Sequence, residues 1–501
     1  MKKHIFLLMV GFTFSVAQSQ EITDAVRYAQ ENLNGTARFR AMSGAFGALG
    51  GDLSSINVNP AGSAVFSNNQ IGITLSNFNT KNNSDYFGTN TTARKNSFDM
   101  NQAGGAFVFK NQNPNSDWKK FSVAINYENT NNYDNSYFSA GTNPTNSVAN
   151  YFISYANGVP LSVLENSNYG ELDHGGQQAF LGYQAYVIDP VNPDNANNTQ
   201  YVSNVAAGGN YYHENSVNTY GYNGKLSFNM ATSYKDKLYL GMNLNAHFTD
   251  FHQSSTFYED NNNPLGASYT VNRLNFNNEL YTYGSGFSFQ LGAIAKVTNE
   301  MRLGLSYESP TWYNLSDEFS QKLVAVSSNI SGELPPDVVD PQVTNYYQPY
   351  KLNTPNKFTG SFAYVFGKSG LISIDYAIKD YGKTKFQPEN DAYYREVNNT
   401  MNNILNSSSE FRIGGEYKIK EWSLRGGYRF EQSPYKNADT IGDLTGYSGG
   451  LGYSFGSTKL DLAYSTAKRN SHQSFFSQGF TDGAYLNSIN DNVTLTLLFE
   501  L

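Results

Sequence analysis

From Gln70 to the end of the chain, short segments alternate strictly between apolar and polar side chains. In 238–248, apolar residues occupy every second position, and Tyr, Gly, Asn and His stand between them. A period of two is that of a β-strand whose two faces meet different surroundings. The polar faces of other segments carry charges of both signs, for example Arg412 and Glu416. Such faces indicate a wet interior, as in a barrel whose apolar outer face meets lipid.

We predict fourteen strands from this pattern, at 70–78, 103–110, 119–128, 219–233, 236–250, 284–297, 300–309, 355–366, 370–380, 409–419, 421–431, 446–455, 457–468 and 490–501. An even number is usual for single-chain bacterial membrane barrels. Five connections are tight, and long Asn-rich loops fall between them, the longest at 129–218. Short turns on one rim and long loops on the other are typical of periplasmic turns and extracellular loops. The sequence therefore predicts an all-β fold, a transmembrane antiparallel β-barrel at 70–501.

Residues 1–20 have the pattern of a signal peptide, because Lys2 and Lys3 precede a short apolar run and then small and polar residues. The run is too short to span a bilayer as a helix. The chain has no cysteine, which excludes a disulfide scaffold and thiol chemistry in an exported protein. Its formal net charge is −8 and it has no polybasic patch, so nucleic acid is not expected as a partner.

Residues 21–69 precede the first strand and lack its alternation. Asp24 can cap a short helix, and a run rich in Gly, Ala and Ser follows at 44–66. Within this run Asp52 can cap a second short turn, and Pro60 should hold the residue before it in an extended or turn geometry. We predict that 21–69 form a hatch, a plug inside the otherwise open barrel. The alternative is a loosely ordered linker, since chain termini are often disordered.

The loop at 129–218 is too long to be structureless in an ordered protein. Two apolar stripes at helical spacing run through it, and they contain Phe152, Ile153, Tyr155, Phe180 and Tyr183. One interpretation is that these helices pack on each other and on the barrel rim, as apolar stripes usually do. The other is that the five side chains line a groove through which an apolar ligand enters.

Candidate catalytic and metal-binding residues are few. The spacing of the six histidines contains no zinc motif, and no metal site, cofactor or enzymatic activity is expected. A pairing of His247 with Ser254 or Ser255 is conceivable for a hydrolase, but nothing in the sequence fixes its geometry. The loop histidines His174 and His213 are candidate haem ligands, although an isolated loop histidine is usually just solvated.

Several stretches resemble one known family, namely Gly50-Gly51-Asp52 with Asn57-Val58-Asn59-Pro60-Ala61-Gly62, then 301–310, 371–376, and 411–417 through 425–430. In this order they are similar to the FadL/TodX family of outer-membrane channels for long-chain fatty acids and hydrocarbons. The resemblance implies a fourteen-stranded barrel with a hatch in its lumen. It also implies that apolar ligand is captured among extracellular loops, passes to a lumenal pocket and leaves sideways through the wall. The hatch residues expected on this path are Asp52, Asn59, Pro60, Ala61 and Gly62.

The expected function is passive uptake of hydrophobic small molecules, such as long-chain fatty acids, by a monomer among the lipids of the bacterial outer membrane. One alternative is a structural barrel or a partner of a protein-secretion system, whose long loops bind another protein. Further alternatives are a receptor for haem or a hydrophobic vitamin, and a barrel hydrolase.

Overall fold

The computed structural model describes residues 21–501, so the predicted signal peptide lies outside the described residues. Before the first strand the chain forms α1 (Ile22–Ala29), α2 (Ala37–Ala41) and two 3₁₀ turns, Ser54–Asn57 and Pro60–Val65. The prediction that Asp24 caps α1 is wrong, because Glu21 is the N-cap residue and Asp24 lies three residues further on, as the N3 residue of the capping box. None of the described helices is both long and apolar enough to cross a membrane.

Strands make up most of the remaining chain, and its helices lie in the loops. The strands are β1 (Gln70–Tyr86), β2 (Thr89–Lys110), β3 (Trp118–Asn132), β4 (Asn135–Asn143), β5 (Ile188–Pro190), β6 (Tyr201–Ser203), β7 (Tyr211–Tyr234), β8 (Leu238–Asn261), β9 (Thr270–Lys296), β10 (Met301–Glu308), β11 (Trp312–Asn329), β12 (Gly332–Glu333), β13 (Asp337–Val339), β14 (Asn345–Tyr346), β15 (Tyr350–Asn353), β16 (Lys357–Phe366), β17 (Gly370–Asp380), β18 (Lys385–Gln387), β19 (Ser407–Ile419), β20 (Trp422–Glu431), β21 (Ile441–Ser454), β22 (Thr458–Ser474) and β23 (Gly483–Glu500). The loops carry α3 (Ala149–Ala156), α4 (Leu161–Asn166), α5 (His174–Gln184) and α6 (Ala392–Ile404).

Fourteen of these strands close into an antiparallel barrel, in the order β1, β2, β3, β7, β8, β9, β10, β16, β17, β19, β20, β21, β22, β23 and back to β1. The last strand pairs with the first, from Glu500 opposite Gln70 to Tyr485 opposite Asp85. Closure leaves the barrel without a terminal edge strand. The predicted barrel and its number of strands are confirmed.

The alternation of side chains separates lipid from lumen as the sequence predicts. On β8, Leu240, Met242 and Leu244 are exposed on the outer face, whereas Asn243 and Asn245 are fully buried on the inner face. A polar group in hydrocarbon would lose its hydration without gaining hydrogen bonds. The outer face of the barrel therefore carries apolar side chains.

Several strands are longer than the sequence predicts. The strands β7, β8 and β9 have 24, 24 and 27 residues, whereas about 10 are needed to cross the bilayer. Their upper parts therefore extend above the membrane, where the outer face meets water and the inner face carries apolar side chains such as Phe257 and Phe276, so the apolar-out, polar-in alternation disappears. For the same reason the predicted loop at 129–218 is shorter in the structure, because β3 continues to Asn132 and β7 already begins at Tyr211.

An extracellular cap, residues 149–203, lies over the barrel mouth. It contains α3, α4, α5 and the β5–β6 hairpin. Its core residues, such as Phe152 and Leu181, pack against Phe257 and Phe276 on the protruding strands and against Phe480 before β23. The cap is thus continuous with the upper barrel wall.

Candidate functional site

The hatch (residues 21–69) runs through the lumen from the extracellular half to the periplasmic half. Its first helix, α1, packs against Phe251, Tyr313 and Leu352 in the upper barrel. Its last 3₁₀ turn packs against Tyr239 and Ile294, close to the periplasmic turns of β8 and β9. The segment predicted to plug the barrel therefore lies inside it.

Asn59 ties two hatch segments and the barrel wall together. Its side-chain amide donates hydrogen bonds to the main-chain oxygens of Gly47 (2.7 Å) and of Ala293 on β9 (3.0 Å). Its side-chain oxygen accepts a hydrogen bond from the main-chain N–H of Ala61 (3.1 Å). The residue is extended, with φ −142° and ψ 110°, as expected before a proline. One side chain thus satisfies two buried carbonyl groups and starts the Pro60–Val65 turn.

Asp52 organises the hatch from within. Its Oδ1 accepts hydrogen bonds from the Thr36 hydroxyl (2.8 Å) and the main-chain N–H of Ser54 (2.9 Å). The side chain is 3% exposed. Ala61 is also fully buried, and the main-chain oxygen of Gly62 accepts a hydrogen bond from the N–H of Gly51 (3.1 Å). The contacts of the predicted hatch residues are therefore with the hatch and the wall, and their role toward a ligand stays a prediction.

Three wall glycines receive the Asn59 turn and the Gly47 segment bound to it. Gly241 and Gly292 stand opposite each other on β8 and β9, and Gly304 lies on the neighbouring β10. A Cβ atom at Gly292 would lie 2.0 Å from Asn59 Oδ1, and one at Gly241 would lie 2.5 Å from the main chain of Pro60. Only residues without a side chain let the two backbones approach this closely.

A second glycine set receives residues 41–43 of the hatch on another part of the wall. Cβ atoms at Gly414, Gly427 and Gly450 would lie 2.4–2.6 Å from Met42 or Ala41. These glycines were not predicted to be functional. The usable signal was their position on the inner, polar face of strands, because glycine inside a strand often marks the close approach of another backbone.

An ion-pair network holds the hatch beside this glycine set. The Arg38 Nε atom of the hatch lies 2.8 Å from the Glu416 carboxylate on β19, and Arg425 of β20 lies 2.7 Å from the same carboxylate. Arg425 also pairs with Asp461 on β22. Because these groups are largely buried, each charge depends on its partner, and loss of one would leave another uncompensated.

The barrel wall has a side gap between β2 and β3. Main-chain pairing of the two strands ends at Gln102 opposite Glu128. Above this point β2 pairs with β1, and β3 with β7, but within the described residues the two strands form no further pairs with each other. An unpaired residue bulges each strand at this level, Asn101 in β2 and Thr130 in β3. A bulge bends its strand, so the bulges at Asn101 and Thr130 separate β2 from β3 above this level.

Side chains and the hatch close the side gap instead of a main-chain ladder. Asn129 donates a hydrogen bond to Asp99 across it, and Asn132 donates one to the Ser97 hydroxyl (3.3 Å). From the inside, the main-chain N–H of Asn32 donates to the Thr130 oxygen (3.0 Å). The position of this gap was not predicted from the sequence, because it arises from bulges and not from a composition signal.

Two cavities lie inside the wall at the level of the gap. The smaller, of about 60 Å³, is bordered by Glu31, Lys225, Glu308, Lys357 and Arg412. The larger, which we call the chamber, has a volume of about 300 Å³. Its border includes Gln30, Asn131, Asn132, Asn135, Gln253 and Gln473. Asn132 thus borders the chamber and also spans the side gap.

The five predicted groove residues belong to the packed cap. Phe152 is fully buried, with its ring 5.3 Å from that of Phe276. The other four, Ile153, Tyr155, Phe180 and Tyr183, are partly buried against the same core. Their packing agrees with the interpretation that the helices support each other, and an opening between them stays a prediction.

Of the two candidate haem histidines, His213 is buried and His174 is half-buried. Both ring nitrogens of His213 are engaged, Nδ1 with the Tyr86 hydroxyl (2.9 Å) and Nε2 with Glu259 (2.9 Å). His174 begins α5 in the cap, packs against Tyr155, and has its pKa lowered by burial. Among residues 21–501, no cluster of three or more His, Asp or Glu side chains is arranged to hold a metal ion.

The conceivable hydrolase pair is not formed. The His247 Nε2 atom is 2.8 Å from the Ser288 hydroxyl, and the ring is buried. Ser254 and Ser255 lie seven and eight residues further along the same strand. At about 3.4 Å per strand residue, they are more than 20 Å away.

We expect Asn59→Ala to loosen the hatch without preventing barrel formation. The change removes the donor for two buried carbonyl groups, at a cost of about 1–3 kcal/mol. Hydrogen–deuterium exchange measured by mass spectrometry should then be faster in residues 44–66 than in the parent protein. Asn90→Ala at the exposed tip of the β1–β2 hairpin is the control. Equal protection of residues 44–66 in both variants would contradict the role assigned to Asn59.

Two solved structures share this fold. A FadL homologue of Pseudomonas aeruginosa is 13% identical, with a TM-score of 0.56 over 94% of this chain and 99% of that one. The Pseudomonas putida toluene transporter TodX is 14% identical, with a TM-score of 0.50 over 94% of this chain and 100% of that one. A search of curated protein sequences finds no significant match.

A family model described as outer membrane protein transport protein (OMPP1/FadL/TodX) matches residues 175–485. The matched part runs from α5 of the cap to the start of β23, and so includes both sets of wall glycines and most of the barrel. The barrel and the family together place the protein in the bacterial outer membrane. The chain belongs to the OMPP1/FadL/TodX family, which transports hydrophobic small molecules.

Proposed function

We propose that this protein is a passive channel for small molecules with an apolar chain or ring, such as long-chain fatty acids. In this proposal it works as a monomer among outer-membrane lipids and has no enzymatic activity. The side gap carries the proposal, since release of its side-chain and hatch contacts would join the lumen to the surrounding bilayer. An apolar group that leaves through the wall enters lipid directly and avoids exposure in the aqueous periplasm, at about 0.8 kcal/mol per CH₂ group.

The closure of the side gap favours opening at this place over any other part of the wall. Opening breaks side-chain hydrogen bonds such as the one between Asn132 and Ser97. Each contributes about 0.5–1.5 kcal/mol net. Elsewhere in the barrel, separating two strands would break a continuous main-chain ladder. The hatch contact of Asn32 with Thr130 must be released as well, which couples opening to movement of the hatch.

Uptake of labelled oleate and toluene tests the proposal. Toluene is included because it is the compound named for the P. putida relative. Cells that lack their own channel of this type should take up at least one compound several-fold faster when they produce the protein. A small polar solute such as glycine is the control and should be unaffected. Unchanged uptake of both apolar compounds, with the folded barrel in the membrane, would contradict the proposal.

A partner of a protein-secretion system is the second candidate. Val338 and Tyr346 are exposed on the short extracellular strands β13 and β14, where another protein would reach them. Replacement of both by Asp should leave uptake of oleate and toluene unchanged if the protein is a channel. Loss of secretion without loss of uptake would favour the partner role.

A further inference from the structure

The chamber beside the side gap is polar, in contrast to the apolar ligands of the proposed function. Four Asn and three Gln side chains border it, and the Gln30 amide, which makes no side-chain hydrogen bond to another described residue, offers both donors and an acceptor. The Gln253 side chain borders the chamber and makes no hydrogen bond to another described residue. A fully apolar ligand would strip water from these groups without replacing its hydrogen bonds. The chamber therefore suits a ligand part that carries several hydrogen-bonding groups.

The cations at the two cavities already have acidic partners. Arg27 lies 2.7 Å from Asp24, Lys225 lies 3.9 Å from Glu31, and Arg469 lies 3.4 Å from Glu431. Lys357 and Arg412 are both 2.9 Å from the carboxylate of Glu410. Glu410 is shared by two cations, but the acidic side chains that border the two cavities outnumber the basic ones, so a fatty-acid carboxylate meets no excess of positive charge. The acidic residues are Glu31, Glu128, Glu308, Asp375, Glu410 and Glu431, and the basic ones are Arg27, Lys225, Lys357, Arg412 and Arg469. The paired cations can still donate hydrogen bonds to neutral hydroxyl groups, and the paired carboxylates can accept hydrogen bonds from them.

Aromatic side chains complete the border of the chamber. Tyr133, Tyr137, Tyr381 and Phe251 border it, and the Arg27 guanidinium lies 4.0 Å from the centre of the Phe251 ring. A sugar ring has hydroxyl groups around its rim and C–H groups on its faces. Amide and charged side chains can bond the rim, while aromatic side chains pack against the faces.

The volume of the chamber limits what part of a ligand it can hold. At about 300 Å³ it is at the low end for ligand pockets. It accommodates a head group but not a whole lipid. Asn132 connects it to the side gap, beyond which Phe98 and Met100 of β2 are exposed on the outer face. A ligand can thus keep its polar head in the chamber and its alkyl tail toward the bilayer.

We propose that the chamber binds the neutral, polyhydroxylated head group of an amphiphile whose alkyl tail points through the side gap. The inference rests on the proposed function and narrows its substrate class. It predicts preference for a sugar head over a carboxylate or an ammonium head on the same tail.

Three probes with the same octyl chain test this preference. Octyl β-glucoside, octanoate and octyltrimethylammonium are titrated, below their micelle concentrations, into the protein in nanodiscs of neutral lipid, and binding is measured by calorimetry against empty nanodiscs. Octyl β-glucoside should bind about tenfold more tightly than either charged probe, as expected when two or more hydrogen bonds differ. Equal or tighter binding of octanoate would overturn the inference, and tighter binding of the ammonium probe would do so as well.

A matched pair of variants places the binding in the chamber. Gln253→Leu removes a bordering amide that holds no other described residue, and should weaken octyl β-glucoside about fivefold without weakening octanoate. Gln348→Leu, on an exposed extracellular segment, should leave both affinities unchanged. An unchanged glucoside affinity in Gln253→Leu would exclude the chamber as its site. Failure of the proposed function can be distinguished from failure of this inference. It would appear as absent uptake of oleate and toluene, whatever the head-group preference.

Discussion

Cross-linking β2 to β3 across the side gap should reduce uptake of the apolar compounds at least about tenfold. Asp99 and Asn129 face each other there, and the chain has no native cysteine. A short bifunctional thiol reagent will therefore react only with the pair Asp99→Cys and Asn129→Cys. The native hydrogen bonds contribute only about 1 kcal/mol each, so the gap can open, whereas the covalent link holds it closed. Uptake of oleate or toluene before and after the reagent is the measurement.

The control uses a pair of cysteines where the same strands are already hydrogen-bonded. Phe109 and Phe121 stand opposite each other below the gap, so a link between Phe109→Cys and Phe121→Cys joins positions that never separate. Uptake by this control variant should be the same before and after the reagent. A cleavable form of the reagent should restore uptake in the gap pair when the link is cut. Full uptake through a completely cross-linked gap would show that ligand leaves by another route.

Gly427→Ala should displace the hatch and make the barrel leak. The new Cβ would lie 2.6 Å from the main chain of Met42, closer than real contacts allow. Overpacking of this kind costs about 1–3 kcal/mol. If the barrel stays folded, that cost raises the population with a displaced hatch about 5- to 150-fold. Single-channel conductance in planar bilayers is the measurement, and openings should become correspondingly more frequent.

The neighbouring residue supplies a matched control. Gly426 is on the same strand but faces outward, and a Cβ there has its nearest neighbour 3.9 Å away. Gly426→Ala should conduct like the parent protein. Gly414→Ala and Gly415→Ala repeat the comparison on β19, since the first meets Met42 and the second does not come closer than 3.6 Å to any group. Identical conductance of the inward and outward variants would contradict close docking of the hatch on these glycines.

Much of the barrel was predictable because its strands are defined by local contrast. Met242 meets lipid and Asn243 meets the lumen, so neighbouring positions in the sequence report the two environments directly. The prediction failed at strand ends, as for Tyr211 at the start of β7, because above the membrane the outer face meets water and Tyr211 itself packs in the apolar cap core, which removes the contrast.

The candidate site was predictable only in part. The Asn59-Pro60 turn was identified from its small residues and the proline, and its place in the lumen followed from the need to plug a wide barrel. Its partners were not predictable, since Ala293 and Gly47, which share the Asn59 amide, are separated by more than two hundred residues. The five cap aromatics and aliphatics were identified from helical spacing, but spacing alone did not distinguish a packed core from a groove.

The sequence by itself determined the alternating strands, their even number, and the rim on which the long loops lie. These features follow from the partition of each side chain between lipid and water, which is a local property. Only the tertiary structure decided where the wall opens, because the bulges at Asn101 and Thr130 act only when β2 and β3 are neighbours. It also decided the chemistry of the chamber, since Arg469 of β22 pairs there with Glu431 of β20, and the two strands are not neighbours in the barrel. Pairings across the lumen depend on register and closure, and no short stretch of sequence contains them.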